Sequence, residues 1–217
     1  MLNRLLAGMM IVCVLTCLAP QPVAAGDPDP ALGGVFYVPS AYILSGYSYR
    51  KFGDRESIKY VRVVQDGLMQ MSFNKDLSGN TPSSDPDTGM KFKIMGSSPF
   101  MPNLAVGSTN LTRGEEFKTY YAVLSLYLSG TGTLLHMGAE QYKTGLDLEE
   151  TREFMGAAEQ QIMPYMFLLL ERHRKKNHGG IRLRPFPGLQ ADFLWEDLDN
   201  RDNYKDFGFS LSFISYY

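Results

Sequence analysis

Past residue 25 the apolar residues of this chain are dealt out in short runs, and in most of these they take alternate positions. In "LMQMSFN", Met69, Met71 and Phe73 share one face of an extended strand, while Gln70, Ser72 and Asn74 share the other. "GMKFKIM" sets Met90, Phe92 and Ile94 against Lys91 and Lys93, and "GIRLRPF" sets Ile181 and Leu183 against Arg182 and Arg184. "TLLHMGAEQY" opposes Leu135, Met137 and Ala139 to His136, Gly138 and Glu140. Period 2 is the mark of a sheet with two unlike faces. A helical membrane span needs roughly 20 consecutive apolar residues. No run after residue 25 approaches that, and Pro164 interrupts the densest, "IMPYMFLLL".

The first residues are of a different kind. "MLNRLLAGMMIVCVLTCLAPQPVAAG" carries Arg4, an apolar stretch from Leu5 to Leu18, and small residues at Val23-Ala24-Ala25. This is the pattern of a secretory signal peptide, with cleavage expected after Ala25. Both cysteines, Cys13 and Cys17, fall within it, so the exported chain is expected to hold itself without disulfides. Losing the leader takes only Arg4 from 21 basic residues against 23 acidic ones, and this balance gives no sign of a nucleic-acid partner.

Strand-like runs fall near 42–52, 57–64, 68–75, 88–95, 103–111, 118–128, 133–143, 153–162, 165–174, 180–186, 189–197 and 206–217. Two runs, "YYAVLSLYL" and "YMFLLLE", are apolar on both faces, as in a small barrel filled by side chains. The stretch 148–162 reads two ways. Leu148, Thr151, Met155, Ala158 and Ile162 have helical spacing behind Asp147, yet the hairpins on either side favour a strand over 154–162.

The connections alternate in character. "DLSGNTPSSDPDT", "TRGEEF", "KKNHGG" and "LDNRDNYKD" belong to a longer, charged series; "QDG", "SGTG", "MP" and "PFPG" belong to a shorter one. Tight turns on one side, longer loops on the other and an even strand number describe an all-β, antiparallel, up-and-down transmembrane β-barrel of about 12 strands (8–12). The expected organisation is a leader over 1–25, a periplasmic lead over 26–41 and the barrel over 42–217.

The terminal "FGFSLSFISYY" resembles the C-terminal assembly signal of Gram-negative outer-membrane barrels, through Phe209, Leu211, Phe213 and the final Tyr217; it departs from the pattern at Ser215. "GGVFYVPSAYILSGY", "PFMPNLAVGSTNL" and the long stretch from Phe154 to Asp197 resemble the YjbH-like group of exported β-barrel proteins. The matching positions are Pro39, Ser40 and Ala41, then Gly156, Glu159, Pro164, Glu171, Gly180 and Arg182. The resemblance implies an outer-membrane location and a link, in some relatives, to exopolysaccharide export. It implies outer-membrane lipid and the barrel assembly machinery as partners, with a polysaccharide as a third. It brings no catalytic residue and no cofactor.

Within the strands Lys91, Lys93, Glu140, Glu159, Glu171, Arg182 and Arg184 are charged. In a membrane barrel they should face the lumen, because Arg or Lys on the lipid face costs about 2–4 kcal/mol at midplane depth. Arg172, Arg174, Lys175 and Lys176, in "RHRKKNHGG", read either as a solvated loop or as a contact for an anionic glycan or lipid phosphate. His136 and Glu140 share a strand face, but no second pair completes a metal site. "SSDPDTG" and "DLDNRDNYKD" offer oxygen ligands without EF-hand spacing, as ordinary loops also do. No phosphate loop, HExxH or G-x-S-x-G motif is present, so no enzyme activity is expected. Two rival readings remain. One is a soluble lipocalin-like barrel or β-sandwich, which would turn its apolar strand faces inward. The other is a lipid-modifying barrel with a rim cluster near Ser40 or His136.

Overall fold

The computed structural model describes residues 37–42, 44–52, 55–64, 68–77, 87–96, 101–112, 118–144, 149–199 and 207–215. The alternating runs become twelve strands: β1 (Ser45–Phe52), β2 (Arg55–Val64), β3 (Met69–Asp76), β4 (Asp87–Met95), β5 (Asn103–Thr109) and β6 (Thr119–Leu128), then β7 (Thr133–Thr144), β8 (Glu149–Met163), β9 (Met166–His173), β10 (Lys176–Phe186), β11 (Leu189–Trp195) and β12 (Phe207–Ser215). Each pairs antiparallel with its sequence neighbours, and β1 pairs with β12 from Ser45↔Ser215 to Phe52↔Gly208, which closes the barrel. Closure leaves no unpaired sheet edge, the condition for a sheet to cross a bilayer.

The two faces sort by polarity. On β12, Ser210 and Ser212 are buried inside while Phe213 is 56% exposed outside. On β7, His136 is fully buried and its neighbour Met137 is 54% exposed; on β8, Met155 is buried and Phe154 is 89% exposed. Outward aromatic residues meet directly across strands, as Tyr47 with Tyr60 and Trp195 with Phe207. Apolar side chains therefore coat the exterior, and charged ones line the lumen. This is the inside-out arrangement of a transmembrane barrel. A soluble barrel would have Phe209, Leu211 and Phe213 inside and Lys91 outside; the reverse holds.

One ambiguity is resolved as the strand that the sequence favoured, and two features differ from the sequence expectation. Residues 149–163 form one continuous strand, paired with β7 over twelve positions; a partner on each side overrides its helical spacing. "RHRKKNHGG" is not a loop: Arg174 and Lys175 both take positive φ (48° and 65°), so a two-residue turn joins β9 to β10. Two residues with positive φ match the twist of the flanking strands and let pairing run up to His173↔Lys176. The other difference concerns the expected periplasmic lead. Its residues 37–41 lie inside the barrel, with Val38, Ser40 and Ala41 at 1%, 0% and 0% exposure. Residues 26–36, the leader with its cleavage position at Ala25, and Tyr217 lie outside the described residues.

The register of β10 against β11 shifts between Leu183 and Phe186, around Pro185, which has no N–H to give to a ladder. Similar shifts occur near Lys93 on β4 and Gln161 on β8. All three fall at the tight-turn rim of the barrel, where an irregular ladder disturbs the lumen least.

Candidate functional site

The lumen is occupied by its own chain. Residues 37–42 and 44 carry no regular structure and lead from the rim of longer connections down to the start of β1. Extended, eight residues cover roughly 26 Å at about 3.3 Å each, close to the ~25 Å height of a barrel's apolar band. Such a segment has no ladder to satisfy its backbone, so lumenal side chains must do it. Glu171 on β9 accepts the N–H groups of Tyr37 and Val38, each at 3.0 Å. Ser125 Oγ on β6 accepts the Ala41 N–H at 2.8 Å, and Gln70 Oε1 on β3 accepts that of Leu44 at 3.1 Å. From β4, Lys91 Nζ donates to the carbonyls of Ser40 (3.1 Å) and Tyr42.

At the upper end the Tyr37 hydroxyl donates to Glu196, and its ring stacks on His173 with centroids 5.2 Å apart. Val38 and Ala41 complete an apolar cluster with Val123, Met155, Leu169 and Leu194. This accounts for the strands apolar on both faces: Val123 and Leu169 are their lumenal contribution to the bed of the plug.

Below and beside the plug, β7 to β11 carry an ion network. Arg182 donates through Nε and Nη2 to the two oxygens of Asp192 (2.8 and 3.1 Å) and through Nη1 to Glu159 (2.6 Å). Arg184 takes the other oxygen of Glu159 at 2.8 Å, and Gln190 donates to Asp192 at 3.0 Å. Register explains the geometry: Arg182 stands opposite Asp192 in the β10–β11 ladder. Glu159 stands opposite Leu169, itself opposite Gly180, so its carboxylate meets both arginines across one intervening strand. Buried charges need this degree of mutual satisfaction.

Ser125 Oγ lies 2.7 Å from His136 Nδ1, and His136 Nε2 lies 3.8 Å from Glu159. A hydroxyl, an imidazole and a carboxylate in line invite comparison with a nucleophile relay. Here all three are at most 1% exposed, none lines the cavity, and the serine oxygen already accepts the Ala41 N–H. The chain acts as a support for the plug.

The remaining sequence candidates fall near the upper rim. Glu140 meets His173 and Arg174, each at 2.9 Å, and Arg174 lies over the Tyr142 ring at 4.0 Å. Lys175 pairs with Glu153 at 3.4 Å, and Arg172 donates to Asn177 at 3.3 Å. Lys176 opens β10, and Lys93 is half-buried on the same face as Lys91. Arg172, Arg174, Lys175 and Lys176 thus do not form one patch; their alternation splits them between lumen and exterior. Among the described residues no group of three or more His, Asp or Glu is placed to hold a metal ion. "SSDPDTG" and "DLDNRDNYKD" lie largely outside those residues.

Beside the plug a cavity of about 580 Å³ remains, lined mainly by β1 to β5 and reaching Tyr121, Glu140, Met155 and His173. Small polar side chains line it, among them Ser48, Ser57, Ser72 and Asn74, together with Arg50, Lys59 and Lys91. Sequence reasoning missed Arg50, Lys59 and Asp192 as lumenal charges, although strand parity marks each of them. It also missed the plug, for which the sequence offers no periodic signal.

No protein-family profile matches the chain, and no curated protein sequence does. Among solved structures, the NanC porin matches over 80% of this chain and 99% of its own, at 14% identity and a TM-score of 0.45. At that level nothing about solute or assembly passes from the porin to this chain.

Proposed function

We propose that this chain is an outer-membrane barrel of a Gram-negative-type envelope that carries a narrow polar path for solutes, closed by its own N-terminal segment. The observation that carries the reading is the plug. A filler meant to be permanent would be joined to the wall by a strand ladder or by apolar packing alone. Residues 37–42 and 44 instead combine a small apolar seat under Val38 and Ala41 with individual side-chain contacts from β3, β4, β6 and β9, each worth about 0.5–1.5 kcal/mol, or about 1.5–3 where one partner is charged. A segment held this way can be displaced by competition for a few of its contacts.

Export through the leader ending at Ala25, recognition of Phe209, Leu211, Phe213 and Tyr217 by the barrel assembly machinery, and contact of the outward aromatic rows with lipid all belong to this reading. The exopolysaccharide link implied by the YjbH-like resemblance enters as the class of solute: a polar glycan or its subunits. The lumen's chemistry suits a non-catalytic role, because the hydroxyl–imidazole–carboxylate chain of Ser125, His136 and Glu159 is sealed.

A second reading has its own support. The Arg182 network fills the lower lumen so fully that the barrel could serve the envelope as a structural element alone. Planar-bilayer recording separates the two. The wild-type protein should show rare, brief openings, and the Glu171→Gln/Lys91→Met double variant should raise open probability at least several-fold. Insertion of both proteins, proved by heat-modifiable migration, with no current from either would overturn the transport reading in favour of the structural one.

A further inference from the structure

The cavity beside the plug has one wall that the plug touches only through Gln70 and Lys91. On it the lumenal faces of β1 to β4 lie side by side. Ser48 stands opposite Lys59, Arg50 opposite Ser57, Lys59 opposite Asn74, and Gln70 opposite Lys91. Arg50 and Lys59 are therefore diagonal cross-strand neighbours on one face, a spacing that long side chains easily bridge. Lys91 lines the same cavity, so three basic side chains share one wall.

Carboxylates also line the cavity, but most are engaged elsewhere. Glu56 pairs with Lys51, and Glu140 with His173 and Arg174. The third carboxylate among the described lining residues is Asp87, at the rim, and it and Arg50 have partners of their own. Lys59 makes no hydrogen bond or ion pair among the described residues, and Lys91 spends its donors on neutral backbone carbonyls. Between these cations the wall offers hydroxyls and amides: Ser48, Ser57, Ser72, Asn74 and Gln70. At Gly89 the wall is close-packed: a Cβ there would come within 2.6 Å of Ser72 Oγ and 3.0 Å of the Ser108 carbonyl. A volume of about 580 Å³ lies within the range of small-ligand sites.

We propose that this wall is a binding site for a small polyhydroxylated anion, a sugar bearing a carboxylate or phosphate, with Lys59, Arg50 and Lys91 taking the charge and the serines and amides taking the hydroxyls. Cations like these suit either acidic group, and the hydroxyl-rich wall selects the sugar. The site has a consequence for the plug. An anion that draws Lys91 toward itself withdraws the donor that holds the Ser40 and Tyr42 carbonyls. Ligand binding and plug release would then share one side chain. The inference deepens the transport reading by naming its solute class.

Binding to the refolded full-length barrel in neutral detergent micelles tests the site without any current being measured. Calorimetric titration with glucuronate, glucose 6-phosphate and glucose should give saturable binding of at least one anion, and at least tenfold weaker binding of glucose. Lys59→Gln should weaken anion binding tenfold or more, Lys59→Arg should retain it, and Lys175→Gln, outside the cavity, should leave it unchanged. Preference between the two anions identifies the acidic group. Equal binding of glucose and the anions, no binding of any, or a Lys59→Gln protein that binds like wild type would overturn the site. Binding without conductance would retain the site and remove the transport reading; conductance without binding would do the opposite.

Discussion

The wall of the lumen built by β7 to β11 and the wall built by β1 to β4 face the same space and treat charge differently. On the first, Arg182, Arg184, Glu159 and Asp192 meet one another within hydrogen-bond distance and are almost wholly shielded. On the second, Lys91 meets backbone carbonyls of the plug, and Lys59 stands in the cavity among serines. The first wall has the composition of a core: paired ions packed with Leu169 and Met155. The second has that of a solvated pocket. The difference teaches that the barrel packs one side of its lumen with paired side chains and the seat of the plug, and leaves a polar cavity along the other, so parity alone puts charge inside but the neighbouring strands decide whether it is paired.

The sharpest way to break this comparison is to remove the centre of the filled wall. Arg182→Met would leave Asp192 and part of Glu159 buried without compensation, and such a loss costs about 3–5 kcal/mol. Urea unfolding in lipid vesicles should show it. A loss below about 1 kcal/mol would mean that water reaches the network and that the wall is not a core.

Next in size is the contrast between inside and outside. Met137→Arg places a cation on the lipid face of β7 and should cost about 2–4 kcal/mol if it lies near the midplane. Ser48→Arg, on the lumenal face of the open wall, should cost far less in the same assay. Equal costs would contradict the assignment of faces.

A smaller effect is expected at the plug. Glu171→Gln removes the charge from three backbone contacts, with an expected loss of about 1.5–3 kcal/mol in docking of the segment. Hydrogen exchange should speed up at residues 37–42 and stay unchanged in β8 to β10. The smallest is Ser48→Ala, where the open wall should lose stability by no more than about 0.5 kcal/mol; a large loss there would make that wall structural too.

The barrel was legible because period 2 survives in sequence wherever one strand face meets lipid and the other meets water. "LMQMSFN" and "GMKFKIM" are direct records of this, and Lys91, Glu159, Glu171 and Arg182 follow from the same parity. The plug was not legible. Backbone groups of Tyr37, Val38, Ser40, Ala41, Tyr42 and Leu44 find their partners in Glu171, Ser125, Gln70 and Lys91, 26 to 134 positions away, and that leaves no local pattern in the sequence. Loop length misled at "RHRKKNHGG", where charge suggested a loop and two residues with positive φ made a tight turn. The YjbH-like motif positions Ser40, Glu159, Glu171 and Arg182 fall at the plug or at the side chains around it, which their spacing alone could not have revealed.

One measurement bears directly on the central claim that the segment before β1 lies inside the lumen. Cys13 and Cys17 fall in the leader expected to be lost, so an Ala41→Cys/Ser125→Cys variant would carry just two thiols. The Ala41 N–H lies 2.8 Å from Ser125 Oγ, which brings the two side chains within disulfide reach. In the membrane-inserted, heat-modifiable barrel, mild oxidation should join the two cysteines nearly quantitatively and protect both from a membrane-impermeant maleimide. If the thiols stay reduced and position 41 reacts as freely as an exposed terminus, the segment does not occupy the lumen, and the account of a self-plugged barrel is wrong.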